Sequence, residues 1–241
     1  MKKLVLALIF AALATTAIAP AALAAIEVEG DSYIGVYEKY LWRGFDLTGE
    51  ADYVVQYGTD LSARGFTLSW WGNHNTDTGN LDEVDVVLDY SFDLSDMVSA
   101  SVGNVLYDVD GAADTNELYL GVALNTILEP SLTAYYDYDE FEGSVYLSLG
   151  VGHSLDVAEN VSVGFGAAAN YYYMDDTLTG TGQDEDFAHN AELSLGVDYA
   201  VTDQISISPS VLYSLVLSDD AEDIAGIDDE FTGGVSVALS F

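Results

Sequence analysis

Apolar and polar residues alternate one by one through most of residues 31–241. Ala191, Leu193, Leu195, Val197 and Tyr199 share one face of their segment, and Glu192, Ser194, Gly196 and Asp198 take the other. Phe231, Val235, Val237, Leu239 and Phe241 likewise oppose Thr232, Gly234, Ser236, Ala238 and Ser240. A period of two is the mark of a strand, whose successive side chains point to opposite faces. Beyond the N-terminal leader no window carries a helical period. About twelve strand segments can be marked: 31–43, 50–62, 66–73, 81–92, 97–108, 115–125, 131–139, 142–154, 160–173, 187–200, 205–217 and 230–241.

The connections alternate in kind. Those after even-numbered segments are short, as at Ala63-Arg64-Gly65 and from Val201 to Gln204. Several of those after odd-numbered segments are longer and acidic, as at 174–186 and 218–229. Segments near the roughly 9–11 residues of a tilted bilayer crossing, with short turns on one side and long loops on the other, indicate a membrane barrel. In lipid, only a closed sheet satisfies every backbone hydrogen bond. The expected fold is therefore all-β: a transmembrane up-and-down antiparallel β-barrel of about 12 strands, forming one domain over residues 25–241. A soluble sandwich would alternate too, but its outer face needs no aromatic girdles. Here Trp42, Trp70, Trp71, Tyr107, Tyr136, Tyr138 and Tyr171 to Tyr173 gather near one edge, and Phe66, Tyr90, Phe92, Tyr199 and Phe241 near the other. Rings with an apolar body and a polar tip favour the membrane interface.

Residues 1–24 have a basic start at Lys2 and Lys3, an apolar run from Leu4 to Ala14, and small residues ending in Ala22-Leu23-Ala24. This is a secretory signal pattern, with cleavage expected after Ala24. It directs the chain to the bacterial outer membrane, and an even strand number places both termini on the periplasmic side. The terminal Phe241 resembles the C-terminal signature of proteins inserted by the barrel-assembly machinery.

Charge narrows the partners. Past the leader, only Lys39, Arg43 and Arg64 oppose 41 acidic residues. Nucleic-acid binding needs clustered Lys and Arg, so it is excluded, as is docking on anionic lipid through a basic surface. With 50% hydrophobic and 12% aromatic residues, the chain is not an acidic disordered segment. There is no cysteine, which removes disulfides and thiolate chemistry.

Turning the apolar parity toward lipid points Asp60, Asp85, Asp89, Glu117, Asp137, Glu192 and Asp198 into the lumen, a field that favours cations. Lys39 and Arg43, four apart on the first segment, are expected on the same inner face, where salt bridges to these acids would order the interior. These nine residues are the expected pore lining. Of the 41 acids, 25, Asp137 among them, fall in segments assigned to the long-loop side. They form a solvated acidic crown, which could also bridge through divalent cations to lipopolysaccharide. Asp108 to Asp114 suggests a calcium loop, but Ala112 and Tyr119 stand where oxygen ligands are needed. His74, His153 and His189 have no metal spacing, and His153-Ser154 lacks a triad. No catalytic residue, metal or cofactor is expected.

Tyr37-Glu-Lys-Tyr-Leu-Trp-Arg-Gly-Phe45 resembles the first-strand signature of TorF-type porins, small proteobacterial outer-membrane proteins; Tyr40, Trp42, Arg43 and Gly44 match its motif. Glu129 to Asp139 and Gly143 to Leu155 are also similar to central strands of related barrels. The resemblance implies an outer-membrane barrel with a pore. The expected function is passive diffusion of small hydrophilic solutes, favouring cations. The alternative is a non-conducting structural or adhesive barrel whose lumen is filled by side chains.

Overall fold

The computed structural model describes residues 26–241; the leader expected over residues 1–24 lies outside them. Fourteen strands follow in chain order: β1 (Glu29–Tyr37), β2 (Leu41–Trp42), β3 (Phe45–Asp46), β4 (Val54–Ala63), β5 (Phe66–Asn75), β6 (Asn80–Ser95), β7 (Val98–Val109), β8 (Thr115–Leu124), β9 (Ser131–Asp137), β10 (Val145–Ala158), β11 (Val161–Met174), β12 (Glu185–Ala200), β13 (Ile205–Val216) and β14 (Glu230–Ser240). All but β2 and β3 form one closed barrel of twelve antiparallel strands, each paired with its neighbours in order. β1 closes it by pairing with β4 on one side and β14 on the other, for example Asp31 opposite both Asp60 and Ser240.

Alternation sets the two faces. In β8, Leu118, Leu120 and Val122 are 49%, 57% and 40% exposed, whereas Glu117 between the sheet and the lumen is 5% exposed. The same inversion, apolar out and polar in, runs around the wall. Exposed aromatics collect at two levels: Tyr136, Tyr171, Tyr173 and Phe231 toward the long loops, and Phe66, Tyr90, Tyr199 and Phe241 toward the termini. Apolar residues exposed from strand to strand around the wall are what a membrane-facing surface requires, and more than the scattered ones of a water-soluble monomer.

Inside, large and small residues interlock across strands. Tyr33, Tyr37 and Tyr119 stand directly opposite Gly58, Gly234 and Gly103. Each ring lies on the glycine, so that a Cβ on Gly103 would come within 2.4 Å of the Tyr119 ring. Such pairing pins the register and covers backbone. Gly103→Val is expected to overpack this contact and lower barrel stability by about 1–3 kcal/mol, read from urea unfolding in lipid vesicles. An unchanged midpoint would show that the Tyr119 ring is free to move.

The first barrel strand is the main departure from expectation. It ends at Tyr37, and the chain then leaves the wall, its Arg43 reaching Glu117 on β8 from inside. The cause is local. Glu38 N–H donates to Gly233 O at 2.9 Å, and Lys39 N–H donates to Thr232 Oγ1 at 3.0 Å, leaving the sheet edge there. Beyond it, β2 and β3 form a small hairpin, pairing Leu41 with Asp46 and Trp42 with Phe45. Its two-residue turn is Arg43-Gly44, with φ of 51° and 86°. Tight hairpins want positive φ at both central residues, as type I′ turns have. Arg64-Gly65 does the same between β4 and β5, with φ of 55° and 84°.

Candidate lumen constriction

The inward hairpin is anchored at its base and its tip. At the base, Lys39 Nζ lies 2.5 Å from Glu230 Oε2 and 2.9 Å from Asp46 Oδ2. The hydrogen bond to Glu230, then that to Asp46, hold the ammonium above its ordinary pKa. Burial alone would raise the Asp46 carboxyl, but Thr48 and Lys39, hydrogen-bonded to it, hold it below the usual value. Tyr40 N–H donates to Thr48 Oγ1 at 2.8 Å, and the Tyr40 ring packs on Trp71 at 5.3 Å.

A folded pKa below the unfolded one stabilises above the unfolded value and is lost as pH falls through the folded value. The Asp46 anchor is therefore expected to weaken on acidification below the ordinary carboxylate range. Asp46→Asn should remove that part of the pH dependence, measured as hairpin protection by hydrogen exchange at stepped pH. Identical profiles for the two proteins would refute it.

At the tip, Arg43 is 9% exposed and reaches across to the opposite wall. Its Nη1 and Nη2 donate to Glu117 Oε1 and Oε2, both at 2.7 Å. Tyr107 OH donates to Glu117 Oε2 at 2.9 Å. The guanidinium carbon sits 4.5 Å from the Trp42 ring, 4.7 Å from Tyr135 and 4.3 Å from Tyr146. A bidentate fork is the strong form of a charged hydrogen bond, and ring faces attract the same cation. Consecutive wall strands thus supply the seat: Tyr107 from β7, Glu117 from β8, Tyr135 from β9 and Tyr146 from β10.

Behind the turn, His189 Nε2 lies 2.9 Å from Arg43 O. A register shift in β12 opposite β11 between Ala169 and Tyr171 accompanies His189 and Asn190, both fully buried. Asn190 Oδ1 accepts from Asn170 Nδ2 at 2.9 Å, and Asn190 Nδ2 donates to Ser214 Oγ at 2.9 Å and Glu192 Oε1 at 3.2 Å. A Cβ on Gly44 would stand 3.2 Å from Asn190 Nδ2 and 3.3 Å from Ile227 Cδ1. Glycine therefore fits there by both conformation and space. Tyr146, Tyr172, Met174, Phe187, Ala221 and Ile227 form an apolar cluster at the same end, with Phe45 packed against it.

Eight of the nine expected lining residues divide into three groups, and Lys39 stands apart at the hairpin base. Arg43 and Glu117 are brought together, and Asp137 stands opposite Glu117, accepting from Thr115 Oγ1 at 2.6 Å. Asp85 faces Tyr107 and Trp71, and Glu192 lies by Asn190. Asp60, Asp89 and Asp198 lie nearer the termini; Asp89 accepts from Tyr119 OH at 2.5 Å and Asp198 from Ser208 Oγ at 2.6 Å. Lys39 and Arg43 are not on a shared strand face as expected. They sit at the base and tip of an inward hairpin, because the sheet edge is left after Tyr37. Sequence reasoning missed the roles of Trp42, Tyr107, Tyr135 and His189. The motif around Arg43 marked the guanidinium, but nothing local marks the Tyr135 and Tyr146 rings that meet it from β9 and β10.

Beside the hairpin a cavity of ≈ 570 Å³ remains, lined in part by Tyr37, Lys39, Gln56, Ser194, Ser210 and Thr232. Among the described residues no group of three or more His, Cys, Asp or Glu side chains is arranged to hold a metal ion.

No protein-family model matches the chain, and no curated protein matches it. Solved structures do. The NanC porin superposes with a TM-score of 0.58 at 12% identity, covering 88% of this chain and 100% of that one. The KdgM porin, solved in complex with disordered oligogalacturonate, gives 0.55 at 13% identity over 88% and 99%. The COG4313 outer membrane channel from Pseudomonas putida F1 gives 0.50 at 11% identity over 91% and 97%. At these identities the likeness is one of fold: the chain has the closed antiparallel barrel architecture of these outer-membrane porins.

Proposed function

We propose that the protein is a channel of the bacterial outer membrane for passive diffusion of small hydrophilic solutes, with cations favoured. The long-loop end faces outward and both termini lie at the periplasm. The observation that carries this reading is the charge balance of the lumen. Its two cations are neutralised in place, Lys39 by Asp46 and Glu230 and Arg43 by Glu117. Asp89 and Asp198 accept hydrogen bonds from hydroxyls rather than cations, and Asp60 stands opposite Asp31. The surplus is negative, and low-dielectric walls strengthen it. Girdles and the apolar exterior support the membrane placement, which would make the barrel-assembly machinery the partner in insertion. The acidic loops suit divalent cations that bridge to lipopolysaccharide.

A second reading is favoured by the constriction itself. The clamped Arg43 and the apolar cluster fill the loop end, as a non-conducting structural or adhesive barrel would require. Refolded protein in a planar bilayer under a KCl gradient separates the two. Discrete current steps with a cation-selective reversal potential are expected. Anion selectivity would reject the electrostatic account, and no steps from folded protein would favour the filled barrel. The combined Asp60→Asn, Asp89→Asn and Asp198→Asn variant is expected to shift the reversal potential toward zero. An unshifted value would remove these acids from the selectivity mechanism.

A further inference from the structure

We infer that the wall seat now occupied by Arg43 is a binding site for guanidinium-bearing cations, and that such solutes compete with Arg43 for it. As a statement about permeants this rests on the channel reading; as a binding site it does not. The hairpin supplies the guanidinium and Trp42, but the rest of the seat belongs to the barrel. Glu117, Tyr107, Tyr135 and Tyr146 come from four adjacent strands whose register is set by pairing, as in Glu117 opposite Asp137 and Leu147 opposite Ala134. Withdrawal of the Arg43 side chain leaves a carboxylate with both oxygens aimed at one point, between two tyrosine faces.

The geometry selects the cation. Both carboxylate oxygens are met by separate nitrogens at 2.7 Å, which a planar fork can do and a single ammonium cannot. Ring faces at 4.7 Å and 4.3 Å from the central carbon fit a flat, weakly hydrated ion. An approach is also present. Asp89, bonded to Tyr119 two residues along β8 from Glu117, places a second carboxylate on the same side of the lumen toward the termini.

The test uses Arg43→Gly, which removes the guanidinium and suits a residue whose φ is 51°. Lys39 and its two carboxylate partners remain to hold the hairpin base. The folded variant is titrated in detergent with methylguanidinium, with methylammonium as the comparison, following tryptophan emission near Trp42. Saturable binding is expected at about tenfold lower concentration for methylguanidinium than for methylammonium. The preference should vanish in Arg43→Gly/Glu117→Gln. Equal response to the two cations, or a preference that survives loss of the Glu117 charge, would overturn the site. Arg43→Ala serves as a second variant, with folding checked by heat-modifiable gel migration. If Arg43→Gly and Arg43→Ala both fail to fold, competition by methylguanidinium is read in the unaltered protein as increased hydrogen exchange of residues 41–46. No increase over methylammonium would also overturn the site. In bilayers, methylguanidinium should block the Arg43→Gly current. Preferential binding without any current would uphold the site and reject the channel reading.

Discussion

Glu117→Ala is expected to lower barrel stability by about 3–5 kcal/mol, because it leaves a buried guanidinium without its partner. Arg43 is 9% exposed, and its two terminal nitrogens both donate to Glu117. The Tyr107 hydroxyl loses its acceptor in the same step. Removing both charges should cost less than removing the carboxylate alone, since no uncompensated ion remains. Arg43→Gly/Glu117→Ala should therefore recover part of the loss. Urea unfolding of these two variants and of Arg43→Gly alone, in vesicles, supplies the cycle. Additive effects would show that the pair is not coupled, and the hairpin tip would then owe its position to ring packing alone.

The second large effect concerns conduction. Replacing residues 41–46 by a flexible glycine-serine link of equal length is expected to raise single-channel conductance severalfold. The hairpin lies across the lumen between Lys39 at one wall and Glu117 at the other, and removing its bulky tip takes out Trp42, Arg43 and Phe45 together. The barrel should still close, because β1 pairs with β4 and β14 through residues 29–37, outside the replaced segment. Conductance unchanged in a folded variant would place the narrowest point elsewhere, at the cluster that includes Met174, Phe187 and Ile227.

The strand pattern and its consequences were legible in the amino-acid order. Period-two alternation assigns each side chain a face, and that assignment needs only local geometry: Leu193 and Leu195 face out while Glu192 lies by Asn190 within the wall. Twelve strands, short turns at one end and acidic loops at the other follow from spacing. The girdle follows only in part. Tyr136, Tyr171 and Tyr173 are exposed toward the long loops, but Tyr107 and Tyr172, expected beside them, are buried inside, and Trp42 stacks on Arg43 in the hairpin, because height along a strand does not decide which face a ring takes.

The constriction was legible only in part. Tyr37 to Phe45 is aromatic enough to read as strand, which extends the first segment to residue 43, although Glu38-Lys39 and Tyr40-Leu41-Trp42 break the alternation. Thr232, nearly two hundred residues away, takes the Lys39 backbone and marks where the chain leaves the wall. Arg43-Gly44 then turns back inside the barrel, where a charge survives only beside a partner. Sequence alternation could say that Glu117, Tyr135 and Tyr146 point inward. Which of them meet at one point depends on barrel closure, on the register between β7, β8, β9 and β10, and on a shift in β12 that brings His189 behind the turn. Strand identity is a property of neighbouring residues; the seat is a property of four strands held at fixed offsets, and only the closed sheet decides those offsets.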